Sequence, residues 1–430
     1  MFKNIAKNFL SLIIAQVIYK IFSFVSIVYI ARKIGDAGFG QLSFALYLGS
    51  LFLAFADMGL SEFFIYDAAG DKNIESSKIG INMGTRIFLS ATTFLLIIGC
   101  SFMLAAESKL IVTIMLIGIA MILDSFTLFL RSIFRSREKM QYEAISFILE
   151  GIIKFALVII SLKFFGNNLI TLGMAFLMTS FLALIGTIII CSKRFIIAKP
   201  IIKLKECAIL VKKGVPFAIV GFLCIVNLKI DVVMLSKLSN DYITGWYSAA
   251  ARLIESLLII PAVASIALFP VLSRLRKGSS KSFADVCRVS FIACIIVGAA
   301  IGIFLYTRAD FLISFIFGDV FVKSVEVLKI LSWVFIPFFL KFLLERVALV
   351  MERAGILFIA YGGGVILKIA LNFIIIPIWN YKGVGFATLI TESLIVAYIL
   401  FCTKKDRKLL YAKQVKKDSM GKSLFFYEER

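Results

Sequence analysis

Apolar runs of about 20 residues, long enough as helices to cross roughly 30 Å of hydrocarbon, recur along the whole chain with short polar breaks between them. They predict helices near residues 9–31, 40–63, 80–104, 110–133, 144–165, 169–191, 214–236, 246–272, 287–307, 325–350, 356–378 and 383–402. The expected fold class is an all-α polytopic membrane protein with about 12 transmembrane helices. Lys3 and Lys7 precede the first run, which is interrupted by Lys20 and continues to Ala31 without a small-residue cleavage site. It reads as a retained span rather than a signal peptide.

The polar breaks carry a second pattern. The largest basic one, Lys193 to Lys213, holds Lys193, Arg194, Lys199, Lys203, Lys205, Lys212 and Lys213 against the single acid Glu206, and divides the chain almost in half. Pro200 argues against one continuous helix there, while the apolar residues between the lysines suit an interfacial segment. Both a topology-fixing loop and an active role remain open for it. Counted by alternate breaks, the basic residues fall with this stretch: Arg131, Arg135, Arg137 and Lys139 before it, Arg274, Arg276, Lys277, Lys281 and Arg288 after it, and Lys404, Lys405, Arg407 and Lys408 in the tail. The positive-inside rule then puts both termini of a multi-pass membrane protein in the cytoplasm. No break exceeds about 20 residues, so chemistry or transport is expected within the helices.

Short matches recur at a nearly constant offset across the basic break. Gly40-Gln-Leu-Ser43 pairs with Gly245-Trp-Tyr-Ser248, Lys20-Ile21 with Lys229-Ile230, Lys154-Phe-Ala-Leu with Lys368-Ile-Ala-Leu, and Gly173-Met-Ala-Phe with Gly385-Phe-Ala-Thr. The pattern favours a duplicated six-helix unit over chance similarity in an apolar chain. The expected organisation is an N-terminal lobe over 1–192, a basic linker over 193–213, a C-terminal lobe over 214–403 and a basic tail over 404–430.

Charges inside the apolar runs mark candidate chemistry, because a charge at the bilayer centre costs about 2.5–3.5 kcal/mol on insertion scales. Glu150 with Lys154, Lys341 with Glu345 and Arg252 with Glu255 have helical spacing and are expected to pair on their own helices. Lys20, Asp57, Arg86, Asp124, Lys368 and Glu392 have no such neighbour and must face another helix or a wet cavity. Lys20 and Lys229 hold equivalent positions in the repeat, which aims two ammonium groups at a shared axis and makes a site for an anion. The candidate substrate-binding set is Lys20, Arg86, Lys229, Arg252, Lys154 and Lys368. Asp57, Asp124, Asp231, Glu255 and Glu392 are candidates for proton or sodium coupling or for charge pairs.

Composition narrows the function. Hydrophobic residues make up 61% and charged residues 17%, with a formal charge of +21. Since the bases cluster at the ends of apolar runs, anionic lipid accounts for them and no nucleic-acid partner is expected. The seven cysteines lack CxxC spacing, so no metal site or disulfide framework is indicated. The absence of histidine excludes histidine acid–base chemistry and histidine metal ligation. No cofactor is expected beyond a coupling H+ or Na+.

The stretch ARKIGDAGFGQLSFALYLGSLFLAFADMGL at Ala31 to Leu60 resembles the Wzx-type oligosaccharide flippases, in the superfamily that also holds multidrug and toxin extrusion transporters. The resemblance continues through RSIFRSREKMQYE at Arg131, DVVML at Asp231, GWYSAAARLIESLLIIPAVASIALFPVLSR at Gly245, VLKILSW at Val327 and LNFIIIPIWNYKGVGFATLITE at Leu371. It implies two six-helix lobes in a V around a cavity lined by helices 1, 2, 7 and 8, with Lys20, Asp57, Lys229, Asp231, Arg252 and Glu255 on or near it. It also implies an undecaprenyl-pyrophosphate-linked oligosaccharide as substrate, flipped by alternating access for O-antigen, lipopolysaccharide or capsule synthesis. Membrane lipids, a polysaccharide polymerase and a chain-length regulator would be its partners. Two other readings compete. A cation-coupled multidrug exporter of the same fold would favour an acidic cavity, and an intramembrane polymerase or ligase would need catalytic residues that these short loops do not supply, so the chain is expected not to be an enzyme.

Overall fold

The computed structural model describes residues 2–68, 76–105, 107–194, 199–277 and 280–425, with side chains described within 10–403. Among the described residues all regular structure is helical, and ten segments are long and apolar enough to cross a membrane. The first and last of these, Leu10–Asp57 with 48 residues and Ala354–Thr403 with 50, would each run about 70 Å as one helix, more than twice the hydrocarbon thickness. Each breaks once, at Gly35 (φ 72°, ψ −177°) and at Asn380 (φ 46°, ψ −132°). Glycine takes such a conformation freely, and asparagine tolerates positive φ better than most residues.

The chain folds back at both breaks. The Lys229 side chain faces the same cavity as Lys20 and also lies 4.5 Å from the Tyr47 ring, although a straight helix would separate residues 20 and 47 by about 40 Å. Likewise, Asp231 bonds both Asn372 and Thr388, on opposite sides of Asn380. The ten segments therefore make twelve spans, as the apolar runs imply. Spans 1 and 2 flank Gly35. Span 3 is Ser76–Leu104, span 4 Ser108–Ser136, span 5 Met140–Phe164, span 6 Leu169–Arg194 and span 7 Leu204–Leu238. Span 8 is Asp241–Leu257 continued by Ile259–Lys277, span 9 Ser280–Thr307, and span 10 Ser324–Leu331 continued by Phe335–Val350, while spans 11 and 12 flank Asn380.

Packing divides the spans into two six-helix lobes. Spans 1 and 2 pack against 4 and 5, and span 6 against 4 and 5; in the second lobe, spans 11 and 12 pack against 7 and 10, and span 9 against 10. Polarity is inverted relative to a water-soluble protein. Leu95, Phe102, Ile366 and Phe373 point outward and are exposed, while Arg86, Lys368 and Glu392 are buried, as hydrocarbon requires.

The lobes meet along spans 1 and 2 against 7 and 8. At the turns between spans 1 and 2 and between 7 and 8, which an even repeat places on the face opposite the termini, the contact is reciprocal. Gln41 Nε2 donates to Asp241 Oδ2 at 2.8 Å, and Trp246 Nε1 donates to Asp36 Oδ2 at 2.8 Å. Arg32 reinforces it by donating to the carbonyls of Phe315 and Ile316, and Phe39 packs on Phe317 and Phe321.

The linker differs from the sequence expectation. The span 7 helix starts at Leu204 rather than at 214, because its polar first turns, with Lys203 and Glu206 paired at 3.0 Å, are good helix formers although too charged to register as a membrane run. Ahead of it, Ile201 N donates to Gly80 O at 2.9 Å, and a β-carbon at Gly84 would lie 2.1 Å from Ile201 O. Two glycines one turn apart on span 3 thus form the seat of the linker backbone. The linker at 195–198 and the side chains of Arg194, Lys277, Lys281 and the tail from 404 lie outside the described residues.

Candidate functional site

The midsection of the lobe interface holds a cavity of about 410 Å³, lined by Lys20, Ser23 and Phe24 of span 1, Lys229 of span 7, Arg252, Glu255 and Ser256 of span 8, and Phe342 of span 10. Helical spacing places its charges together: residues 20, 23, 24 and 27 share one face of span 1, and 252, 255 and 256 one face of span 8. Three cations face one carboxylate, so the lining is net positive.

Glu255 ties the cations together. Its Oε1 accepts from Lys229 Nζ at 2.9 Å and from Tyr47 OH at 2.9 Å, while its Oε2 lies 3.7 Å from Arg252 Nη1. The Tyr47 ring, almost fully buried, lies 4.5 Å from the Lys229 ammonium and 4.4 Å from the Arg252 guanidinium; cation–π attraction at such distances is favourable. Arg252 Nε has no hydrogen-bond partner. The expected pairing of Arg252 with Glu255 is present, widened to include Lys229 and Tyr47.

Deeper in the second lobe, a void of about 40 Å³ shares Leu228, Glu255 and Leu258 with the cavity and is otherwise lined by Asp231, Tyr247, Lys368, Thr388 and Glu392, among others. Asp231 pairs with Lys368 at 2.8 Å and accepts from Asn372 at 2.8 Å, Thr388 at 2.9 Å and Tyr247 at 3.0 Å. Lys368 also donates to Asn227 O at 2.6 Å. Glu392 pairs with Lys341 at 2.7 Å and accepts from Asn227 Nδ2 at 2.7 Å. Lys368 thus borders the inner void rather than the cavity, and its charge is spent within the lobe.

Arg86 does not line the cavity. It is fully buried among spans 2, 3 and 4, where its guanidinium donates to Asp57 Oδ1 at 2.8 Å, Ser61 Oγ at 2.8 Å, Ser125 O at 2.9 Å and Asn82 Oδ1 at 3.3 Å. Its partner Asp57 ends span 2, beside the turn where Gly59 meets the span 7 backbone. Four of its five N–H donors are already bonded among these spans, so its charge is spent within the lobe.

Lys154 donates to Ser23 Oγ at 2.9 Å, just behind the cavity wall. Its expected partner Glu150 bonds Arg131 on span 4 at 2.6 Å instead. Nor does Lys341 pair with Glu345, which accepts from Tyr361 OH. In both cases a group on a neighbouring helix approaches more directly than one four residues along the same side. Asp124 lies near Ser180, Glu150, Arg131 and Lys154. Of the candidate acids, Asp57, Asp231, Glu255 and Glu392 form ion pairs within 4.0 Å and Asp124 does not, among the described residues. The described residues contain no His, Cys, Asp and Glu group arranged to hold a metal.

Sequence reasoning missed Tyr47, Asn227, Asn372, Thr388 and Tyr247. A signal existed: Asn227 with Asp231, Lys368 with Asn372, and Asn82 with Arg86 are polar pairs spaced i,i+4 on otherwise apolar helices, which points one polar stripe at the interior.

Twelve spans in two lobes around a charged interfacial cavity define a fold found among membrane transporters and flippases. Within that class, the chain belongs to the polysaccharide biosynthesis protein family, which matches residues 5–276. No curated protein matches the sequence closely. Among solved structures, the lipid II flippase MurJ in an inward closed conformation is similar, with TM-score 0.76 at 18% identity, covering 91% of this chain and 87% of that one. An inward-facing multidrug resistance MATE family transporter of the MOP superfamily gives TM-score 0.76 at 11% identity, covering 92% and 96%. A MOP superfamily transporter from Pyrococcus furiosus gives 0.64 at 13%, covering 95% and 96%. These likenesses identify the fold.

Proposed function

We propose that the protein is a flippase that carries a polyprenyl-pyrophosphate-linked oligosaccharide from the cytoplasmic to the outer leaflet of the inner membrane by alternating access, with both termini cytoplasmic. The carrying observation is the cavity between the lobes, where Lys20, Lys229 and Arg252 oppose the single acid Glu255. A diphosphate headgroup entering hydrocarbon loses its hydration, and cations fixed in a wet cleft replace it with charge-assisted hydrogen bonds. The polyprenyl tail stays in lipid. An organic cation would meet like charge, so the multidrug reading fits this cavity less well. A role in O-antigen or capsule synthesis, with a polymerase and a chain-length regulator as partners, is the setting that the family suggests. The two lobes would rock about the basic linker that precedes span 7, whose helix starts at Leu204.

Purified protein in vesicles containing a defined polyprenyl-pyrophosphate oligosaccharide tests this. The expected result is exposure of the sugar on the second leaflet, scored by enzymatic access; no exposure above protein-free vesicles overturns it.

A further inference from the structure

The cavity contains an anion of its own. Glu255 projects from span 8 at the place where Lys229 and Arg252 converge, and its two oxygens take both cations and the Tyr47 hydroxyl. Without that carboxylate, two cations of 20% side-chain exposure would face each other across the Tyr47 ring with no counter-charge. Tyr47 belongs to span 2 of the first lobe, while its acceptor belongs to span 8 of the second, so this hydrogen bond joins the lobes at the cavity edge. The same two helices carry, about seven and ten residues earlier in the chain, Gly40 and Gly245, whose backbones close the face opposite the termini.

We propose that Glu255 is a built-in stand-in for the anionic headgroup, and that the Tyr47–Glu255 hydrogen bond is the contact through which headgroup binding releases the closed face. This rests on the anionic-headgroup reading of the cavity. A diphosphate offers more charge and more acceptor oxygens than one carboxylate, and arginine engages phosphate oxygens in pairs; the bare Arg252 Nε is one donor ready for it. As Lys229 and Arg252 turn to the incoming anion, Glu255 keeps only Tyr47 and is repelled by the diphosphate beside it. The carboxylate swings away and the polar tie between the lobes is lost. Binding energy for the headgroup is thereby converted into separation of spans 2 and 8, as a two-state change requires of a ligand with unequal affinity for the two states. Lys20, which has no carboxylate within 4.0 Å among the described residues, serves the incoming anion alone.

Inorganic pyrophosphate is the probe, with its binding measured by calorimetry on the full chain in detergent. Spin labels at Ala37→Cys and Tyr242→Cys, in a background lacking the native cysteines, report the distance across the closed face. Wild-type protein is expected to bind pyrophosphate and to populate a longer distance only when it is present. Glu255→Gln removes the competing charge and should bind about tenfold tighter, within the usual range of coupling between sites, and populate the longer distance without ligand. Glu255→Asp should return both readouts toward wild type, and Tyr47→Phe should lengthen the distance while tightening binding less than Glu255→Gln does, because the competing carboxylate remains. If wild-type protein fails to bind pyrophosphate, the anionic-headgroup reading falls. If it binds, but Glu255→Gln binds equally or more weakly and Tyr47→Phe leaves the distance distribution unchanged, that reading survives and the stand-in role of Glu255 is overturned.

Discussion

Gly40 and Gly245 meet across the two lobes so closely that a β-carbon on either would lie 2.0 Å from a carbonyl oxygen of the opposite lobe, that of Asp241 for Gly40 and that of Asp36 for Gly245. The relationship is reciprocal, and the surrounding residues repeat it. Asp36, Gly40 and Ser43 correspond to Asp241, Gly245 and Ser248 at a constant spacing, and the residue after each glycine donates to the aspartate of the other copy. A repeat first visible as a few shared letters is therefore also a contact between its two copies.

It follows that Gly40→Val cannot be accommodated in the closed state, since the obstruction is backbone and cannot rotate away. The expected outcome is a shift toward separation at the 1–2 and 7–8 turns and a loss of transport of at least about tenfold, the factor corresponding to 1.4 kcal/mol. Spin-label distances between those turns check it, and an unchanged distribution would show that the closure is not made here.

Twelve spans were legible because hydrocarbon imposes length and polarity on each one. Their pairings were not, since an i,i+4 spacing shows that two side chains can meet and not that they do. Glu150 had Lys154 one turn away, yet bonds Arg131 on span 4 at 2.6 Å; Lys341 had Glu345, yet reaches Glu392 on span 12 at 2.7 Å. The cavity was partly legible for the same reason. Lys20 and Lys229 stood out as unpaired charges at repeated positions, whereas Tyr47, being uncharged, gave no signal among 13 tyrosines. Arg86 looked like a substrate ligand because its partner Asp57 lies on another helix, which one-dimensional spacing does not reveal.

For Arg86 the structure predicts a stability defect. Removing one partner of a buried ion pair typically costs about 3–5 kcal/mol, while replacing both with apolar residues is often far cheaper. Arg86→Met should lower thermal stability and the amount inserted, and combining it with Asp57→Leu should restore much of both. Pyrophosphate affinity per folded molecule should stay near wild type in the double variant. A selective loss of affinity in Arg86→Met protein of normal stability would instead put Arg86 in the binding machinery.

Lys20 has the opposite profile. It lines the cavity without a carboxylate partner, so Lys20→Ala leaves no buried charge stranded. Inserted amount and melting temperature should be unchanged, while transport of the lipid-linked substrate falls about tenfold or more, the loss expected for one hydrogen bond to a charged group. Lys229→Ala should lose transport as well, because one of the three cavity cations is gone and Arg252 is left as the cation paired with Glu255. Equal transport by wild type and Lys20→Ala in the vesicle assay would remove Lys20 from the site.

Asp124 is the acid on which we place ion coupling, because it is partly buried within the first lobe and forms no ion pair within 4.0 Å among the described residues, unlike Asp57, Asp231, Glu255 and Glu392. It lies near Arg131 and Glu150 of the adjoining pair, Lys154 and Tyr19, so gain or loss of one cation there would alter how span 4 packs on spans 1 and 5. Asp124→Asn should transport at the same rate with and without an imposed proton or sodium gradient, where wild type accelerates with one of them. A gradient response that survives in Asp124→Asn would assign coupling elsewhere.

The linker yields two separable predictions. Lys203 ahead of span 7 and Lys205, Lys212 and Lys213 at its start are exposed beside Ile202, Leu204 and Ile209, an arrangement suited to anionic headgroups, so neutralising all four together should disturb orientation in the membrane more than substrate preference. The linker backbone is a different matter. Ile201 is seated on Gly80 and Gly84 of span 3, which holds the entry to span 7 against the first lobe. Gly84→Val must push that segment away, loosening the joint about which the lobes rock while leaving every lysine in place. Accordingly, Gly84→Val should insert in the normal orientation, as read by labelling of tail cysteines from either side, and transport several-fold more slowly. Inverted orientation in Gly84→Val, or normal orientation in the four-lysine variant, would show that the backbone seat and the basic side chains do not divide the work in this way.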